Sequence, residues 1–136
     1  MYEYRCDIVR VIDGDTVDVD IDLGFGVWMR KQRIRLYGID TPESRTRDLE
    51  EKKYGLAAKY FLKGMLDDPN GIVLKTHKDG KGKFGRILGE LWRTTDFADQ
   101  SINDYMCEKR HAVRYYGQSK ELIAEQHLLN RDLVKL

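Results

Sequence analysis

The feature that most constrains the fold is an alternation. From Thr16 onward, Val17, Val19, Ile21 and Leu23 take one parity and Asp18, Asp20 and Asp22 the other. Successive side chains of a strand point to opposite faces, so this segment reads as a strand with an apolar face on a core and an acidic, solvated row outside. A half-buried strand of this kind belongs to an antiparallel sheet. Its neighbours read the same way. Asp7 to Ile12 is rich in β-branched residues and ends in the turn signal Asp13-Gly14-Asp15. Gly24-Phe25-Gly26 leads to a third run, Trp28 to Ile39, in which Ile34 and Leu36 alternate with Arg33, Arg35 and Tyr37.

Pro42 ends that run. After a charged stretch from Arg45 to Lys53, the residues Tyr54, Ala57, Ala58, Phe61, Leu62 and Met65 recur at helical spacing, which predicts an amphipathic helix of about three turns. Asp67-Asp68-Pro69-Asn70-Gly71 is dense turn chemistry. Ile72-Val73-Leu74 and Ile87 to Trp92 then form a second hairpin across a loop from Lys78 to Lys83. Ser101 and Ser119 each cap a C-terminal helix, the first carrying Ile102, Tyr105 and Met106, the second Leu122, Ile123, Gln126 and Leu129. Five strands with a helix between the third and fourth, followed by two helices, is the order of the OB-fold, a small Greek-key β-barrel with helices (α+β). An α+β sandwich gives a similar string. With 136 residues, no repeat and no low-complexity segment, residues 1–136 read as a single domain.

Lysine and arginine number 24 against 23 aspartates and glutamates, a formal net charge of +1. Any anion site must therefore be local. Cys6 and Cys107 lack a zinc-ligand spacing and read as two buried thiols. His77, His111 and His127 share no ligand spacing either and receive no catalytic or metal role. No run has the length of apolar residues that a membrane span needs, and the first residues carry no apolar leader, so a cytoplasmic protein with no membrane partner is expected.

Chemistry gathers at the structural breaks. Asp15 follows a glycine turn, and Asp40 and Glu43 flank Thr41-Pro42. Strand ends beside turns let side chains converge without being buried in the sheet. Hard oxygens so grouped suit calcium or magnesium, and a third carboxylate is available as a base. Asp-Gly-Asp is equally a common turn. Arg35 and Arg86, each near a strand, carry guanidinium groups that match phosphate oxygens with parallel hydrogen bonds, although arginines are commonly surface groups.

Several blocks make the pattern specific: Val11-Ile12-Asp13-Gly14-Asp15-Thr16, then Arg33-Ile34-Arg35-Leu36-Tyr37-Gly38-Ile39-Asp40-Thr41-Pro42-Glu43, Lys53-Tyr54-Gly55 and Phe84-Gly85-Arg86. In that order, and with Ile102-Asn103-Asp104 and His111 to Tyr116 further on, the chain closely resembles the staphylococcal nuclease (thermonuclease) family. The resemblance implies a five-stranded OB-type barrel with three helices and a calcium-dependent nuclease acting on DNA and RNA, cutting on the 5′-oxygen side to leave 3′-phosphates. It implies that Asp15, Asp40 and the main-chain carbonyl of Thr41 hold Ca2+. Glu43 would position or deprotonate the attacking water, and Arg35 and Arg86 would hold the scissile phosphate. Such an enzyme is expected to act as a monomer.

The sequence also departs from that pattern. At Phe84 the family's secreted enzyme has a tyrosine whose hydroxyl reaches a substrate phosphate, a bond that phenylalanine does not make. Tyr115 and Tyr116 are both candidates for stacking on a base. Ser44 to Lys52 corresponds to a mobile loop beside the site, where Arg45 or Arg47 could touch a longer substrate. Lys81 and Lys83, in a glycine-rich hairpin, are candidates for nonspecific phosphate contacts. The alternative to an enzyme is a catalytically silent OB-fold module that only binds nucleic acid, but such a module has no chemical need for Asp15, Arg35, Asp40, Thr41, Glu43 and Arg86 together.

Overall fold

A computed structural model describes residues 2–81, 86–94 and 100–136, with the backbone alone at 78–81. The chain runs β1 (Glu3–Asp13), β2 (Thr16–Gly24), β3 (Val27–Leu36), β4 (Ile39–Asp40), α1 (Leu49–Leu66), β5 (Ile72–Lys81), β6 (Ile87–Arg93), α2 (Ile102–Glu108), β7 (Val113–Arg114) and α3 (Lys120–Arg131). The long strands close a barrel in the order β1-β2-β3-β6-β5. This is the OB-type barrel with helices that the element order predicts. All its pairings are antiparallel except β3 with β6, where Ile34, Arg35 and Leu36 run parallel to Ile87, Leu88 and Gly89.

The alternation of β2 does what its period demands. Val17, Val19 and Ile21 are buried in the core, while Leu23 is 41% exposed because it lies at the strand end beside the Gly24 turn. The acidic row is more than a solvated face. Asp18 takes two hydrogen bonds from Arg33, and Asp20 takes one from Arg30 and one from the Lys31 backbone. Cross-strand ion pairs thus line the outside of the β2–β3 ribbon.

Three boundaries differ from the sequence reading. The third run breaks at Gly38, whose φ of 78° suits glycine, so Ile39 and Asp40 leave the barrel and pair with β7 instead. α1 begins earlier than its apolar periodicity shows. Asp48 caps it by accepting from the Glu50 and Glu51 backbones, so residues 49–52 are helix rather than loop, and Ser44 is buried against Asp13. β5 continues through Lys81, into the segment read as a loop. Short local patterns miss such extensions because backbone pairing with a distant strand decides them.

α1 buries Gly55, Ala58, Leu62 and Leu66, one stripe at helical spacing, against the barrel. α2 contributes Ile102 and Met106 to the same core. Its Asn103, 2% exposed, donates to the Tyr37 and Gly89 carbonyls and accepts from the Leu91 N–H. That one side chain satisfies backbone groups where β3 leaves β6, a junction that would otherwise hold buried polar atoms without partners.

Candidate active site

The floor of the site is built by the β1–β2 turn and the end of β3. Thr16 faces Arg35 in register, and the Leu36 N–H donates to the Asp15 carbonyl at 2.8 Å. This brings the Asp15 side chain beneath β4. Its Oδ1 accepts from Thr16 Oγ1 at 3.0 Å and its Oδ2 from the Thr41 N–H at 3.2 Å. Arg35 crosses the same point. Its Nη1 donates to the carbonyls of Leu36 (3.0 Å) and Ile39 (2.9 Å), and its Nη2 lies 3.4 Å from both Asp15 Oδ2 and Asp40 Oδ1. One guanidinium nitrogen thus sits between two carboxylates. Burial pushes the Asp15 carboxyl up; the Arg35 charge works against this and the Asp40 charge adds to it.

Glu43 stands on the rim, one loop away. Its N–H donates to Glu51 Oε2 at 3.2 Å, and a Cβ on Gly55 would overlap its carbonyl. Glycine at that position in α1 is what lets the 43–44 backbone lie against the helix. The Glu43 carboxyl is raised, first by desolvation and then by Asp13, Asp15, Asp40 and Glu51.

The cleft over this floor encloses about 770 Å³ and has a wall that the sequence reading did not assign. Lys120, Ile123, Ala124, His127, Leu128 and Arg131 of α3 line it, together with Tyr115 and Gln118. His127 Nε2 lies 2.8 Å from Asp40 Oδ2. A histidine given no role for want of ligand spacing therefore sits on a predicted cation ligand from 87 residues away. The periodicity of Lys120, Ala124, His127 and Arg131 marks one helix face, a signal present in the sequence, but nothing local says what that face meets.

Of the predicted site residues, Asp15, Arg35, Asp40, Thr41, Glu43, Arg86 and Tyr115 line this one cleft. Tyr116 does not. Its ring lies over Gly38 and edge-on to Tyr37, with centroids 5.9 Å apart. Arg45 reaches back to Asp13 at 3.5 Å. Lys83 and Phe84, and the side chain of Lys81, lie outside the described residues. The other histidines are elsewhere: His77 lies 2.6 Å from Glu90, and His111 is buried against Phe61.

Among the described residues no three acidic, histidine or cysteine side chains form a ready cage for a cation. Hard oxygens are nonetheless present: Asp15 and Asp40 face one point, where a positive nitrogen already lies between them, and Thr41 adds a carbonyl next to Asp40. This donor set fits calcium, which takes carboxylates, carbonyls and water together.

Comparison with known proteins bears on what such a site is. The family model described as staphylococcal nuclease homologue matches residues 33–132. The chain belongs to the staphylococcal nuclease family. Arg35, Asp40, Thr41, Glu43 and Arg86 fall within that match, and Asp15 lies ahead of it on the preceding hairpin. The thermonuclease of Staphylococcus intermedius is 36% identical over 85 residues, covering 62% of this chain and 46% of the relative. Protein ParB of Escherichia coli is 31% identical over 126 residues, 88% of this chain and 63% of the relative. The micrococcal nuclease of Shigella flexneri is 28% identical over 122 residues, 85% and 62% respectively. The chain thus spans about half of the staphylococcal relative and under two-thirds of the other two. No helix among the described residues is long and apolar enough to cross a membrane.

Proposed function

We propose that the chain is a calcium-dependent nuclease that hydrolyses phosphodiester bonds in DNA and RNA, cutting the P–O5′ bond to leave 3′-phosphate products and acting as a monomer. One observation carries the reading: in a member of this family, Asp15, Asp40, Glu43, Arg35 and Arg86 share one cleft. Asp15, Asp40 and the Thr41 carbonyl would hold the cation. Calcium bound there supplies positive charge to a phosphate oxygen.

The rest of the work falls to the chain. Arg86 lines the same cleft as the carboxylates, and its guanidinium would hold phosphate oxygens. Arg35 keeps two acidic groups together at the floor while its charge faces the cleft. Guanidinium groups stabilise the charge that spreads over the phosphoryl oxygens in the transition state. Glu43 on the rim accepts the proton of the attacking water. A positioned carboxylate on the rim is the kind of group that takes a proton from an attacking water. As the P–O5′ bond breaks, the leaving oxygen takes up a proton from solvent. Tyr115 offers a ring to a neighbouring base.

The test is cleavage of fluorescent single-stranded DNA, and of RNA, in calcium, in magnesium and in chelator, beside Glu43→Ala, with the product ends identified. Calcium-dependent cleavage to 3′-phosphates that collapses in the variant is expected. Binding that weakens steeply with salt, with no cleavage in any metal, would establish the silent binding module instead.

A further inference from the structure

Several α3 side chains line the cleft, and one of them, His127, touches a group of the candidate cation site. α3 buries none of its residues, so little apolar packing holds it. Directed contacts do. Asn130 Nδ2 donates to the Ala112 carbonyl at 3.1 Å, the Arg131 guanidinium lies 5.3 Å from the centre of the Tyr54 ring, and His127 meets Asp40. Of these, only the His127 contact ends on a group of the candidate cation site.

The chemistry of that contact is one-directional. A carboxylate oxygen only accepts, so the hydrogen belongs to Nε2. His127 Nδ1 is buried and has no hydrogen-bond partner. The ring therefore presents Nε2–H to Asp40 Oδ2. Asp15 is oriented differently, from within the barrel, by Thr16 on one oxygen and Thr41 on the other. Asp40 has a long contact to Arg35 on Oδ1 and its short bond on Oδ2, so its tightest hold comes from α3.

We infer that His127 is the positioning residue of Asp40: it holds the carboxylate in the orientation in which Asp40 takes a divalent cation, and so couples the seating of α3 to occupation of that site. This rests on the nuclease reading above. Groups that hydrogen-bond a ligating side chain from behind fix its orientation, and their loss weakens metal binding about 10- to 100-fold. The coupling is reciprocal, so a cation that tightens when α3 is seated also seats α3.

The test uses the full chain with calcium as the probe. Calcium affinity is measured by calorimetry for the unaltered protein, His127→Ala and His127→Gln, with DNA cleavage by the unaltered protein measured alongside. Hydrogen exchange of the α3 amides is followed with and without calcium. The alanine variant is expected to bind calcium about 10- to 100-fold more weakly. Glutamine, which keeps an N–H donor, should recover much of that loss. Calcium should slow α3 exchange in the unaltered protein and not in the alanine variant. Unchanged calcium affinity in the alanine variant, beside an unaltered protein that binds calcium and cleaves DNA, overturns the positioning role and leaves the nuclease reading standing. If glutamine falls with alanine and both melt early, His127 only holds the helix in place, and the inference fails. If the unaltered protein neither binds calcium nor cleaves DNA, both readings fail together.

Discussion

The two sides of the cleft are built on opposite principles. The floor is barrel: Asp15, in the turn between β1 and β2, and Arg35, on β3, are mostly buried and are tied to backbone groups as well as to each other. The α3 wall is a helix with no buried residue, whose Leu128 and Leu129 are exposed and whose tie to the floor is His127. The floor's geometry is therefore inseparable from the fold, whereas the wall is set by a handful of polar contacts. Charges that must face each other at fixed distance belong on the rigid side, and on the proposed nuclease reading a wall that admits a polymer gains from being held lightly.

Arg35 breaks the comparison hardest, because it serves both chemistry and fold. Arg35→Ala is expected to lower turnover by about a hundredfold or more, as loss of a transition-state charge does. It should also destabilise the protein by about 3–5 kcal/mol, since a buried Asp15 is left without its cation. Glu43→Ala should match the loss of turnover without the loss of stability. Single-turnover cleavage and urea melts of the two variants decide it, and an Arg35→Ala protein as stable as its parent would show the floor to be less locked than its contacts imply.

Packing sharpens the contrast. Leu62, fully buried on the barrel-facing side of α1, should cost about 2–5 kcal/mol when cut to alanine. Leu129→Ala on the exposed wall should stay within about 0.5 kcal/mol of the parent. Equal midpoint shifts in urea would mean that α3 is packed more deeply than its exposure indicates.

A subtler break lies at Gly55. An added methyl there meets the Glu43 carbonyl, so Gly55→Ala should displace the rim and reduce turnover by about ten- to a hundredfold, the scale of a small misplacement of a catalytic group. Activity equal to the parent's in a folded Gly55→Ala protein would argue that Glu43 is not needed where it lies.

The smallest effect is a pH dependence that touches neither side of the cleft. Burial pushes the His111 imidazole below its ordinary value of 6.5. The folded state then holds fewer protons than the unfolded chain, so His111's contribution is full above about pH 6.5 and is lost as the pH falls. Melting temperatures at pH 8 and pH 5 should differ less in His111→Phe than in the parent.

Much of this was legible in the sequence because it rests on near neighbours. The β2 alternation, the Ser101 and Ser119 caps and the Asp13-Gly14-Asp15 turn each follow from residues a few positions apart. The blocks around Asp15, Arg35 to Glu43 and Arg86 carried the family and the members of the cleft floor. The start of α1 was missed because the cap at Asp48 lies inside a charged run with no apolar periodicity to mark it. The break at Gly38 leaves only a faint mark, since Ile39 is apolar on the parity of Arg33, Arg35 and Tyr37, and nothing local says that Ile39 and Asp40 pair with β7.

By itself, then, the sequence determined the order of the five barrel strands and three helices, though not the short β4–β7 pair, and the chemical identity of the acidic and basic groups beside the turns, since these depend on side-chain period and local backbone preference. Tertiary structure alone decided that β3 runs parallel to β6, that Gly55 makes room for Glu43, that Tyr115 rather than Tyr116 enters the cleft, and that His127 binds Asp40. Each of these joins residues far apart in the chain, and such a contact forms only where barrel closure and core burial bring the two backbones together.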